Sequence, residues 1–367
     1  MKKDVMKKYQ ICEKYIYFNK EMEKKSDINF HAGGKAPSDV YKIALEKGYK
    51  PVYVRRFKID EFHTYKIVRK IINFDWFFLI FRIRRNSIVL LQLPIRFGNH
   101  KMQYAFLRLL KKIKKVKFIS LMHDIEILRK ARHPSAVDFA NCEFEFHASL
   151  KLTDCLIVHN QKMKQFIKYY GFPDEKIIVL EIFDYLTDSK ENTIKYTKKV
   201  IYAGNLAARK CGFLRKLKET GIPFDLYGIN YKQDEIGGKN INYCGSYRSN
   251  ILSEKINSGF GLVWDGDELS TCSGSLGDYL RWNNPHKLSL YICAGIPVFI
   301  WDEAAEAAFV KENKIGFLIQ SINDIKNIFD SLEEDTYKKL QKRVSLISKR
   351  IRNGFYMKKA LEIAEGR

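Results

Sequence analysis

The sequence predicts an α/β protein built from two doubly wound, Rossmann-like domains that face a cleft, and three observations carry that expectation. Short apolar runs alternate with amphipathic stretches along the whole chain, the signature of parallel strands flanked by helices. The 367 residues exceed what one core ordinarily holds, and at 46% hydrophobic they can fill two. The pattern turns polar between Asp184 and Thr197 and restarts as a strand at Lys199. A linker there divides the chain into residues 1–190 and 191–367, the second with closing helices.

In the first half the strand candidates are Lys50–Val54, Ser87–Leu93, Val116–Met122, Cys155–His159 and Lys176–Leu180. Helices are expected over Ser38–Lys47, His100–Lys112 and Asn160–Tyr170, with Gly48 and Gly171 marking ends. The second half offers strands at Lys199–Ala203, Phe224–Tyr227, Ile241–Cys244, Gly259–Trp264, Pro297–Trp301 and Gly316–Ile319. From about Asp335 onward the sequence reads as one or two closing helices.

One helix has both ends written in. Asn284 suits the N-cap, Pro285 the first helical position, and Gly295 the left-handed stop before a buried strand. Lys287 and titratable His286 then fall in the first turn, where a cation is misplaced by about 0.3–1 kcal/mol unless an anion binds nearby. Capped N–H groups beside a lysine are the ingredients of a phosphate site. A solvated surface lysine is the plain alternative.

The formal charge of +23 favours polyanionic partners: nucleic acid, anionic lipid or phosphorylated small molecules. Arg82-Ile83-Arg84-Arg85 and Lys111-Lys112-Ile113-Lys114-Lys115 concentrate bases among Phe, Trp and Ile. Such faces are either solvated helices or a surface that rests on an anionic membrane, each base adding about 1 kcal/mol. No helix-turn-helix, RNP or Cys/His finger pattern occurs, so nucleic acid is not an expected partner. Seven scattered cysteines without a C-x-x-C pair point to free thiols in a reducing cytosol. With no signal-peptide core and with Asp75 interrupting the apolar run Phe74–Phe81, the expectation is a cytoplasmic protein, peripheral at most to the inner face of the membrane.

Candidate sites fall at strand ends. Tyr202-Ala203-Gly204-Asn205-Leu206 places a Gly-Asn turn after a strand, where backbone can approach a ligand and Arg209 or Lys210 can reach a phosphate. Leu226-Tyr227-Gly228 repeats the arrangement; its ring either stacks on a base or fills the core. Together with Lys287 these turns converge on a nucleoside diphosphate. Gly34 and Lys35 precede a helix whose N-cap is expected near Ser38, and suit an anion or a substrate hydroxyl. That loop is neither G-x-G-x-x-G nor a P-loop, which counts against a dinucleotide dehydrogenase or an NTPase. His123-Asp124-Ile125-Glu126 can supply a general base, or simply start a capped helix. Asn160 either orients an acceptor sugar or caps the helix that follows. Asp265 and Asp267 form a D-x-D that would hold a divalent metal on a diphosphate; alternatively Asp265 meets sugar hydroxyls, or the loop merely turns.

The segments Tyr202–Leu206, Gly259–Gly266 and Tyr279–Lys287 continuing to Gly295-Ile296-Pro297 resemble the bacterial galactofuranosyltransferase and adhesin-glucosyltransferase family of GT-B fold. Gly34-Lys35-Ala36 with Asp39, His123–Glu126 with Leu128-Arg129, and His159-Asn160 with Met163 extend the resemblance over most of the chain. It implies a UDP-sugar donor held by the C-terminal domain, no catalytic metal or other cofactor, and self-association into a homo-oligomer. By position, Asn205, Arg209, Tyr227, Asn284, His286 and Lys287 would hold UDP. It assigns no base; Asp124, with His123 beside it, is the choice from the residues themselves. The expected activity is hexose transfer, galactofuranose before glucose, to a glycan, glycoprotein or polyprenol-linked acceptor. A basic nucleic-acid or membrane-binding protein with a degenerate sugar-nucleotide fold is the rival from another class.

Overall fold

Val-, Ile- and Leu-rich runs too apolar to face water on either side become central strands of parallel sheets. The computed structural model describes residues 6–17, 34–58, 74–95, 100–129, 136–189, 191–207 and 211–367. They build two six-stranded sheets in which every pair is parallel. The first contains β1 (Lys8–Tyr17), β2 (Lys50–Lys58), β3 (Ile88–Leu93), β4 (Lys117–Met122), β5 (Cys155–Val158) and β6 (Ile177–Val179), in the order β2-β1-β3-β4-β5-β6. The second contains β7 (Lys195–Ala203), β8 (Phe224–Tyr227), β9 (Ile241–Tyr243), β10 (Ser258–Val263), β11 (Val298–Trp301) and β12 (Gly316–Ile319), in the order β12-β11-β10-β7-β8-β9. Both sheets are thus doubly wound. Their direction of winding reverses between β1 and β3 and between β7 and β10, where ligands gather beyond the carboxyl ends of the strands.

Strand β1 is a central strand that the sequence pattern did not announce. Lys, Gln and Glu interrupt it, yet Tyr9, Gln10 and Ile11 are all buried. Gln10 is tolerated because its Nε2 donates to Tyr41 O (3.2 Å) and Tyr49 O (3.4 Å). Strand β7 begins at Lys195, inside the stretch read as linker. Asp184 in that stretch is buried, and its carboxylate accepts the N–H groups of Tyr356 (3.2 Å) and Met357 (2.7 Å).

Those two bonds mark where the chain returns. Helix Glu334–Arg352 stays with the second domain: Ser348 Oγ and Arg352 Nη1 both donate to Cys293 O, at 3.3 and 3.1 Å. Helix Phe355–Gly366 crosses to the first sheet, where Glu365 pairs with Lys8 (2.7 Å) and Ala364 O accepts from Lys117 Nζ (3.1 Å). Of the closing helices expected in the second domain, then, the last packs against the first sheet. Among the described residues no helix is long and apolar enough to cross a membrane.

Candidate active site

The winding reversal between β7 and β10 gathers one wall of the cleft. Gly204 leaves β7 with its N–H bonded to Tyr227 O (2.9 Å). At Gly228 (φ +148°) an added Cβ would stand 1.7 Å from Gly204 O, so the two turns meet only because the second is glycine. Lys287 lies across this floor; a Cβ at position 204 would be 3.2 Å from its Cε. Its Nζ is 2.5 Å from Asp265 Oδ1, 3.4 Å from Trp264 O and 4.8 Å from the centre of the Tyr202 ring. The Tyr202 hydroxyl donates to the same Asp265 oxygen (3.2 Å). Asp265 is therefore the counter-ion of Lys287, and a phosphate arriving at the lysine competes with it.

Asp267 faces elsewhere, its Oδ1 accepting from Gly212 N (3.2 Å). The two carboxylates of the D-x-D thus serve different partners. No group of three or more His, Cys, Asp or Glu side chains suited to a metal occurs among the described residues. Asn205 Oδ1 accepts from Ala207 N and Asn230 Nδ2, both at 3.0 Å, and so shapes the turn it sits in. Tyr227 is buried, with its hydroxyl donating to Lys255 O (3.3 Å); it fills the core rather than offering a face to a base. Arg209 lies outside the described residues.

Helix His286–Ala294 starts one residue later than its sequence signal. Pro285 takes the cap position with an extended backbone (φ −69°, ψ 132°), and Gly295 ends the helix at φ 92° as expected. Asn284 caps nothing here. Its N–H donates to His159 Nδ1 (3.0 Å), its Nδ2 donates to His159 O (3.2 Å) and Glu181 O (2.8 Å), and its Oδ1 accepts from Asn160 Nδ2 (2.8 Å). Asn160 also donates to Trp282 O (2.8 Å) while its Oδ1 caps helix Gln161–Tyr169 at Met163 N (2.9 Å). Both amides are fully engaged. In this structure the two residues expected to touch UDP and acceptor fasten one domain to the other.

An aromatic hub sits beside this latch. Phe183, which no motif singled out, stacks on His123 (5.6 Å, 4°) and meets the rings of His159 (4.7 Å) and His286 (5.9 Å). His286 also stacks on Tyr185 (5.1 Å). Burial, with the Lys35 charge adding to it, pushes His286 down to about 3 against a bond to the Asp184 main chain. It is therefore neutral at pH 7 and not the second cation of the helix start. Its Nε2 is buried without a protein partner.

Burial likewise pushes His159 down to about 3. A histidine whose folded pKa is depressed stabilises the fold fully above its ordinary value near 6.5, and that contribution disappears as pH falls toward 3. Thermal stability is accordingly expected to fall progressively below pH 6.5 in wild type and less steeply in His159→Gln, measured by melting across pH 7 to 4.

On the opposing wall, the charge of Lys35 is already matched. Its Nζ lies 2.5 Å from both oxygens of Asp39, donates to Leu186 O (2.6 Å) and sits 4.5 Å from the Tyr185 ring centre. Gly34 is the cap residue of helix Lys35–Glu46, which starts before Ser38. This loop ties the first domain to the linker rather than presenting a free cation. His123 Nε2 meets Gln92 Oε1 (2.6 Å), and Asp124 Oδ2 pairs with Arg129 Nη1 (3.2 Å) at the carboxyl end of β4. Tyr279 reaches over from the second domain, its hydroxyl accepting from Ile125 N (2.8 Å). Sequence reasoning also passed over Glu306. It follows the carboxyl end of β11, is 1% exposed, and neither of its oxygens has a partner. Burial raises its pKa well above the usual carboxylate range, leaving an acid with an O–H to donate.

Residues 15–182 match the model of the Glucosyltransferase 3-like N-terminal domain, and residues 200–364 that of the C-terminal domain. The chain is 36% identical to the beta-1,6-galactofuranosyltransferase WbbI of Escherichia coli (strain K12), over 92% of this chain and 96% of that one. It is 23% identical to Glucosyltransferase 3 of Streptococcus gordonii, over 89% and 92% of the two chains. Among solved structures, the lipopolysaccharide outer core galactosyltransferase WaaB superposes with a TM-score of 0.56 at 10% identity, covering 98% of this chain and 99% of that one. Anabaena Alr3699/HepE in complex with UDP and glucose gives 0.53 at 12%, covering 98% of each chain. With the fold, both domain models and a full-length relative in agreement, the chain belongs to the Glucosyltransferase 3-like family of bacterial GT-B glycosyltransferases.

Proposed function

We propose that this glycosyltransferase moves a hexose, galactofuranose before glucose, from a UDP-sugar to a hydroxyl of a glycan, glycoprotein or lipid-linked acceptor. The observation that carries this reading is Lys287 lying over the touching Gly204 and Gly228 turns, a cation above a floor open to close approach. A diphosphate bound there takes over the lysine from Asp265, and Lys287 meets the charge that develops on departing UDP. His286 Nε2 and the Glu306 acid lack protein partners and suit sugar hydroxyls as acceptor and donor. Asn205 shapes the turn that follows Gly204. Asp124 takes the acceptor proton in an inverting reaction, provided the acceptor enters its ion pair with Arg129. A cation is built into the site, so the reading requires no metal. The Escherichia coli relative bears the name of a galactofuranosyltransferase, which ranks that sugar first.

Thermal melting with UDP, UDP-glucose, UDP-galactopyranose and UDP-galactofuranose tests the donor. A ligand at 100 times its Kd stabilises the protein by about 2.7 kcal/mol, and the true donor should match or exceed UDP. No shift with any uridine compound would remove the reading. A chelator that abolishes turnover would return the D-x-D to consideration as a metal site.

A further inference from the structure

Two neighbouring helices of the first domain each present an exposed apolar side. Residues 74–82 form a helix whose inner side buries Trp76, Leu79 and Ile80. Its outer side exposes Phe74, Phe78 and Phe81, at 59%, 46% and 71%, spaced as one helical stripe. Helix His100–Lys114 buries Tyr104, Leu107 and Leu110 completely. A second stripe on it, Met102, Phe106, Leu109 and Ile113, recurs at intervals of four, three and four and is largely exposed. The two outer stripes are continuous, because Phe77 packs edge-on against Phe78, Phe81 and, across the helices, Phe106 at 5.6–5.9 Å. Asp75 fixes the first helix in this pose through three bonds to Arg55 at 2.7–2.9 Å.

The exposed charge that these two segments themselves carry has one sign. Arg82, Arg84, Arg85, Lys101, Arg108 and Lys112 are all exposed. Asp75, which is buried and paired, is the only acidic residue in 74–88 and 100–117. We infer that this face docks on an anionic lipid bilayer, the phenylalanines entering the headgroup boundary and the bases meeting lipid phosphates. An apolar face with a basic border is the chemistry of an interfacial helix, whose binding grows with apolar area and with anionic lipid content. A second copy of the chain fits worse, because a two-fold contact sets the patch against itself and brings like charges together. Nucleic acid fits worse as well, since Met102, Leu109 and Ile113 have no flat face on which a base can stack.

The surface also has a direction. Helix His100–Lys114 starts at His100, whose Nδ1 is 3.4 Å from Glu145 Oε2, and Glu145 shares a cavity lining with Asp124 at the carboxyl ends of β3 and β4. The docked face therefore begins at the rim of the acceptor wall, so a lipid-borne hydroxyl would enter from the membrane side. The surface stands independently of which sugar is transferred.

Flotation of the full chain with phosphatidylcholine vesicles, with and without phosphatidylglycerol, tests it. Wild type should bind the anionic vesicles and not the neutral ones. The double variant Phe78→Ser, Phe81→Ser should bind at least tenfold more weakly with an unchanged Tm. Leu346→Ser, at an equally exposed apolar position (60%) on helix Glu334–Arg352, should bind as wild type does. Wild type that ignores anionic vesicles, or a double variant that binds like wild type, overturns the inference. So does a double variant whose only change is conversion of a dimer to a monomer, or loss of RNA binding.

Discussion

Lys287→Ala is expected to lower UDP-sugar turnover by roughly 10²–10³-fold while the protein stays folded. A donor aimed at charge that develops in the transition state contributes about 3–4 kcal/mol, and Lys287 is the cation that the turns at Gly204 and Gly228 surround. The lysine normally offsets Asp265, and their side chains are 17% and 20% exposed. Its removal leaves that carboxylate with only the neutral Tyr202 hydroxyl and Cys211 thiol, so a modest loss of Tm should accompany the kinetic one. Lys287→Met with Asp265→Asn separates the two effects: stability returns and turnover does not. Loss of the UDP-induced thermal shift in Lys287→Ala would tie the defect to the diphosphate. Near wild-type turnover in that variant would sink the phosphate assignment.

Asn284→Ala should act on stability instead. The substitution leaves the Glu181 carbonyl and one of the two Asn160 Nδ2 hydrogens without a partner at the junction of the domains, and the His159 carbonyl keeps only the Glu181 N–H (3.0 Å). Each buried group left unsatisfied costs about 1–3 kcal/mol, and rebonding within the latch recovers part of the sum. A net loss of about 2–4 kcal/mol is expected, and calorimetry should show one unfolding transition separating into two as the domains uncouple. UDP affinity should change by less than about threefold, since neither donor N–H of the amide is free. If Asn284 touched the nucleotide as the family resemblance implies, the pattern would reverse, with affinity collapsing and melting barely moved.

Much of the fold was legible because parallel strands buried on both faces write themselves as continuous apolar runs; β5, β10 and β11 are buried at every position. Strand β1 escaped because a central strand that carries Gln and Glu depends on partners distant in sequence, such as the main chain at Tyr41 and Tyr49. The meeting of turns was legible where glycine was required, at Gly204 and Gly228, and Lys287 does lie beside them. The site was misread where one residue type serves two ends. Asparagine caps helices and binds ligands; Asn160 does cap its helix, as one of its two readings had it, but together with Asn284 it also bridges the domains, and only the tertiary arrangement says so. Tyr227 followed the same rule, its ring claimed by the core. Phe183 and Glu306 gave no signal at all, since a lone aromatic and a lone acid are common and their meaning lies in what surrounds them.

Helix Phe355–Gly366 gives the molecule a particular order of manufacture. It seals the first sheet, yet it is translated only after all of the second. Domains ordinarily fold one after another as they leave the ribosome. Here the first remains unsealed along Lys8 and Lys117 until synthesis has passed the second, and Asp184 then holds the arriving helix by its first N–H groups. The earlier half of the chain thus finishes last, and a chain truncated between residues 320 and 354 carries all six strands of its second sheet but lacks the helix that covers its first.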